Sequence, residues 1–130
     1  MGKGLCKLCE KNSVLLKSHV LPKFAYKWMK ETSGSGHIRF GVNPNQRSQD
    51  GFKLPWLCEA CEIKLNNWET EFAKKIFHPL NNGKVGTIKY DEWLNLFCIS
   101  VSWRVLNFYL EQNLLSNYPP NIQKSIIEAI

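Results

Sequence analysis

A chain of 130 residues suits one domain, and at that length about two-thirds of the unfolded surface can be buried, enough for a real core. With 44% hydrophobic and 12% aromatic residues, the composition excludes a disordered polymer, and the lack of any apolar run of ~18 to 20 residues excludes a helical membrane span. The net charge of +6 is one-sided: residues 1–53 hold ten Lys/Arg against three acids, whereas residues 54–130 hold seven against eight.

The N-terminus, Met1-Gly2-Lys3-Gly4-Leu5-Cys6, lacks the apolar run of a signal peptide, so a soluble cytoplasmic protein with no membrane partner is expected. Residues 5–13 read as a tight turn around Cys6-Lys7-Leu8-Cys9. Val14–Leu21 is β-branched and apolar enough for a short strand, stopped by Pro22. Phe24 and Trp28, like Ala25 and Met29, fall at i, i+4 spacing, which predicts an amphipathic helix over Lys23–Glu31. Thr32–Gly51, rich in Gly, Ser, Asn and Gln, reads as a long loop with a brief strand at His37–Val42.

Phe52–Leu57 predicts a second strand leading into Cys58-Glu59-Ala60-Cys61. A helix follows, with Leu65, Trp68, Phe72, Ile76 and Phe77 as its apolar stripe and Pro79 as its stop, before a turn at Asn81-Asn82-Gly83. Asp91 is placed to cap a further helix reaching Gln112. Tyr118-Pro119-Pro120 breaks the chain, and Asn121 is expected to cap a last helix, Ile122–Ile130. That helix carries Ile126, Ile127 and Ile130 and no polar tail, so it must pack on something. Two expectations stand for it: the natural chain continues past Ile130, or these C-terminal helices meet a second copy or another protein.

Cys6/Cys9 and Cys58/Cys61 form two CxxC pairs. In an intracellular chain paired CxxC motifs favour zinc over disulfides. Each pair makes a knuckle aiming two thiolates at one point, and two knuckles complete a tetrahedral structural site with no open position. Cys98 lies on an apolar helix and reads as an inert core thiol. The zinc pins the chain before the first strand to the chain after the second, so the strands must lie side by side with the next helix across them. The expected class is therefore α+β: a zinc-stapled ββα unit over residues 1–80, with a helical extension over 81–130 packing on it.

Ser18-His19-Val20-Leu21-Pro22 follows the first knuckle. The order CxxC, strand, His-x-x-Pro, loop, strand, Leu-Cys-x-x-Cys-Glu, helix resembles the HNH endonuclease family, specifically its zinc-stapled members. The likeness covers about residues 5–78. It implies that His19 is the general base, taking a proton from the water that attacks a phosphodiester, while one divalent ion, Mg²⁺ or another, stabilises the developing charge. An imidazole is suited to that proton transfer at physiological pH. Where the family carries Asp or His before the base, this chain has Ser18. Where it carries His or Asn after the second CxxC, this chain has Glu62. Glu62 can bind Mg²⁺, and Asn66, one helical turn on, is the second candidate ligand. Asn43 and Asn45 are candidates for the asparagine that orients the base in that family. Glu69 is expected to make an ordinary surface pair, and Arg104 a buried or interface contact. His37 and His78 are given no role.

The basic half suits a polyanion, nucleic acid first and DNA before RNA, against the alternative of a merely solvated basic face. Lys23, Lys27 and Lys30 share one helix side, and Lys17, Arg39 and Arg47 add to them. Trp68, Trp93 and Trp103 fall at core spacing rather than as a stacking platform for bases. Two functions follow for test: a metal-dependent nuclease, or a catalytically weakened relative that binds nucleic acid or a protein within a larger assembly. A zinc module for protein contacts alone is the third.

Overall fold

The computed structural model describes residues 2–84 and 86–130. Its strands are β1 (Lys3–Leu5), β2 (Asn12–His19), β3 (Ile38–Phe40), β4 (Asn43–Ser48) and β5 (Lys53–Cys58). Its α-helices are α1 (Lys23–Thr32), α2 (Glu59–Phe72), α3 (His78–Asn81), α4 (Glu92–Glu111) and α5 (Pro120–Ala129). The fold is α+β, with a three-stranded sheet in the order β1-β2-β5 and a separate hairpin, β3-β4. Among the described residues, no helix is long and apolar enough to cross a membrane.

β2 and β5 pair antiparallel from Leu15–Cys58 to His19–Lys53, as strands tied near one end by cysteines must. β1 departs from the expected bare turn. The Cys6–Cys9 knuckle reverses the chain, with the Glu10 amide donating to the Cys6 carbonyl at 2.9 Å and Glu10 in the left-handed region at φ 58. Lys3 is thereby laid against Val14. Between Leu16 and Lys17 the β2–β5 register slips, leaving Trp56 unmatched next to Pro55. Proline has no N–H for the ladder, so a bulge is where a paired strand tolerates it.

Trp56 and Leu57 are nearly inaccessible and form the core with Cys6, Val20, Cys61 and Leu65, against which Trp68, Trp103, Val105 and Phe108 pack. Burying side chains of this size stabilises by about 1.5–3 kcal/mol each. A second cluster joins α1, α2 and α4: the Phe72 and Phe97 rings stack at 4.0 Å, and Phe24 lies against Phe97 and Phe77.

Four local expectations are corrected. Pro79 does not end the helix after Cys61: Ala73–Phe77 widens into a π-helical segment and α3 carries the chain to Asn81, with Phe77 and His78 helical, so Pro79 lies inside a continuous helical run just after the widened turn. The loop after α1 holds two strands, and their register runs from Ile38–Ser48 to Phe40–Asn43. α5 begins at Pro120 with no side-chain cap, so Asn121 lies within its first turn. Cys98 is exposed, not core. Asp91 does cap α4, accepting the Trp93 amide at 3.2 Å. No residue of α5 is buried, and Ile127 is 54% exposed.

Candidate functional site

The sulfurs of Cys6, Cys9, Cys58 and Cys61 all lie within 4.8 Å of one another, and those of Cys9 and Cys58 are 3.8 Å apart. Sulfurs placed tetrahedrally ~2.3 Å from one ion stand about 3.8 Å from each other, so the set fits zinc. Cys58 is the N-cap of α2, and Cys61 lies in its first turn. Burial pushes the Cys6 thiol up, but amide donors from Cys9, Cys58 and Leu8 outweigh it and hold the thiol down to about 6. Burial and the neighbouring thiols push Cys61 upward instead. A bound ion removes that conflict by making thiolates favourable at all four positions. Among the described residues this is the single group of three or more His, Cys, Asp or Glu that could hold a metal ion.

His19 closes β2. Its Nε2 is 2.8 Å from Asp50 Oδ1, and its ring lies against that of Tyr26 at 5.7 Å. Asp50 also pairs with Lys53 and accepts the Gly51 amide at 2.9 Å. Burial pushes the Asp50 carboxyl up, while Lys53, His19 and the Gly51 amide outweigh it and hold it well below the usual carboxylate range. A charged Asp50 fixes the proton on Nε2 and leaves Nδ1 as the acceptor, and among the described residues Nδ1 has no hydrogen-bond partner. The residue that orients His19 is thus Asp50. Asn43 and Asn45, the sequence-based candidates, lie exposed on β4. A search of the loop for asparagine alone passes over Asp50, although an acid between His19 and the second strand answers the same need more strongly.

Ser18 and Glu62 are brought together: the buried Ser18 hydroxyl donates to Glu62 Oε2 at 2.6 Å. Asn66 is exposed one turn further along α2, where it lines an open cleft of about 580 Å³ with Lys23, Phe24, Glu69 and His78. Glu69 makes no surface pair. It is buried and bonded to the buried Arg104 at 2.6 Å. Burial pushes the Glu69 carboxyl up, against the pull of Arg104. Arg104 Nη1 also donates to the His19 carbonyl at 3.3 Å. The extension therefore touches the backbone of the candidate base, a contact that no sequence signal marks.

Lys23, Lys27 and Lys30 line one cleft of about 380 Å³ together with Tyr26, Glu31 and Asp50. The basic side of α1 and the partner of His19 thus share one recess. Lys17 is exposed on β2 two residues before His19. Arg39 and Arg47 lie elsewhere, exposed on the β3–β4 hairpin. Trp93 is buried, and Trp68 and Trp103 pack against the core, as their spacing predicts. No family model, curated protein or solved structure matches this chain.

Proposed function

We propose that this protein is an HNH-type endonuclease that hydrolyses phosphodiester bonds in nucleic acid, DNA before RNA, on a fold closed by a four-cysteine zinc site. The observation that carries the reading is the His19–Asp50 hydrogen bond at the end of a strand stapled by the cysteine cluster, beside the lysine-lined recess. Lys23, Lys27 and Lys30 hold the phosphate backbone against that recess. Asp50 keeps the His19 ring in place and its Nε2 protonated. His19 Nδ1 takes the proton of the attacking water, and the carboxylate of Asp50 stabilises the imidazolium that forms. Glu62, with Asn66 a turn away, is the place for a hydrated divalent ion such as Mg²⁺, which takes one or two protein carboxylates and keeps several waters. That ion supplies positive charge for the phosphate and the leaving oxygen.

A second reading, a module that binds nucleic acid without cutting it, is favoured by one observation: Glu62 is taken up by the buried Ser18 hydroxyl, and the neighbouring carboxylate of Glu69 is tied to Arg104. The two readings separate on plasmid DNA and total RNA incubated with zinc-loaded protein, with Mg²⁺, Mn²⁺ or no added ion. Cleavage that needs the ion, and that falls about 100-fold or more in His19→Ala and in Glu62→Gln with zinc content unchanged, supports the nuclease. Salt-sensitive binding with no cleavage moves the function to the binding module. Cleavage that survives His19→Ala excludes the mechanism.

A further inference from the structure

We propose that the β3–β4 hairpin is a DNA-binding ribbon that seats in the major groove of a duplex; the inference rests on the nuclease reading and names its substrate as double-stranded DNA. Residues 38–48 hold two arginines and no acid. Arg39 and Arg47 are direct cross-strand partners, and both are exposed. Arg39 donates to the Pro44 carbonyl at 2.9 Å, and among the described residues neither arginine makes an ion pair. Like charges directly opposite each other destabilise a strand pair, and a lone two-stranded hairpin has little stability to spare. A polyanion lying across the pair reverses that penalty.

The ribbon is held at both ends, by Ile38 at its root and by Phe40 beside its turn, and its outer side is bare. Ile38 is buried, the Phe40 ring packs on Phe52 at 4.4 Å, and Phe52 packs on Phe108 of α4 at 5.2 Å. Between those two anchors, Asn43, Asn45, Gln46 and Arg47 are all exposed. These are the side chains that read base edges, amides on adenine and arginine on guanine. A B-form major groove, about 12 Å wide, admits a two-stranded ribbon, whereas the deep, narrow groove of A-form RNA does not. At the root, the Ser48 hydroxyl donates to the Asp50 carbonyl at 2.7 Å. A duplex gripped by the ribbon therefore passes the recess that holds Asp50 and the α1 lysines.

The test is binding of labelled 30-base-pair duplex DNA, duplex RNA and single-stranded DNA to zinc-loaded protein without added divalent ion, for wild type and the double variant Arg39→Ala/Arg47→Ala. The expected result is preference for duplex DNA, at least a tenfold loss in the double variant, and a salt slope lower by about two. Its unfolding midpoint should be unchanged or higher, since a repulsion is removed, which separates lost contact from misfolding. Methyl green, which occupies the major groove, should displace the protein, and the minor-groove ligand netropsin should not. Equal affinity of the double variant, a lower midpoint, tighter binding to RNA or single strands, or displacement by netropsin alone overturns the ribbon. Plasmid cleavage keeps the two proposals apart. Ribbon-dependent binding without cutting removes the nuclease and leaves the ribbon. Cutting that the double variant retains in full removes the ribbon and leaves the nuclease.

Discussion

At His19 three distant parts of the chain meet: Asp50 on the ring nitrogen, Tyr26 beside the ring, and Arg104 on the carbonyl. Gly51 is what lets the first two coexist. A Cβ there would come within 1.9 Å of the Tyr26 ring, so the tyrosine closes directly over the glycine backbone and fixes the neighbouring Asp50. Tyr26 is itself buried and has nowhere to retreat. Gly51→Ala should therefore destabilise the zinc-loaded protein by about 1–3 kcal/mol in urea unfolding, the usual cost of overpacking. Under the proposed nuclease reading it should also lower cleavage together with stability, because Asp50 moves with the ring. An alanine variant of wild-type stability would mean that Tyr26 does not hold the loop.

At the scale of elements, α4 shows why periodicity names a helix more easily than its buried face. Its buried residues are Trp93, Phe97, Ser100, Arg104 and Asn107, a stripe whose last three members are polar. Cys98 and Ile99 are left outside. Arg104 is buried in that stripe because it crosses to Glu69 on α2 and to the His19 carbonyl, while Ser100 and Asn107 donate to the Phe97 and Trp103 carbonyls of their own helix. Removing one partner of a buried ion pair leaves an uncompensated charge, so Arg104→Ala should cost about 3–5 kcal/mol in urea unfolding. Replacing both, Arg104→Met with Glu69→Met, should cost less than either single change, since no lone charge is then buried. A double variant as unstable as the sum of the singles would show that packing, not charge, holds α4 on α2.

Across the whole molecule, the cysteine cluster joins the β1–β2 turn to the start of α2, and the core is built around that junction: Cys6 and Cys61 are themselves core residues. Stripping zinc from the loaded protein with a strong chelator should unfold the sheet and α2, read as loss of near-ultraviolet circular dichroism from the buried Trp56. Re-addition of zinc should restore the signal. The four thiols must lose their protons to bind, so zinc affinity should fall as pH is lowered from 8 to 6, because thiols reprotonate and compete with the ion. Competition with a zinc-binding dye measures this. An affinity independent of pH would exclude thiolate ligation.

The order of amino acids alone is enough for the α+β class, the side-by-side strands before and after the long loop, the four cysteines suited to a metal ion and the Asp91 cap. Each rests on a local rule: a CxxC knuckle and an N-cap are each set within a few residues, and one ion drawn to four sulfurs leaves few ways to bring two knuckles together. The α1 lysine face is legible in the same way, from helical spacing. The partners of the central histidine, by contrast, exist only once the chain has folded. Asp50 reaches it across 31 residues and Arg104 across 85, and the two make their contacts because strands, loop and α4 converge on one point. β1, the passage of the helix beyond Pro79 and the exposure of Cys98 belong to the same group. A three-residue strand has no period to show, a proline does not reveal that a π-widened turn will carry the helix past it, and a helix apolar on most sides does not reveal which side its neighbours will cover.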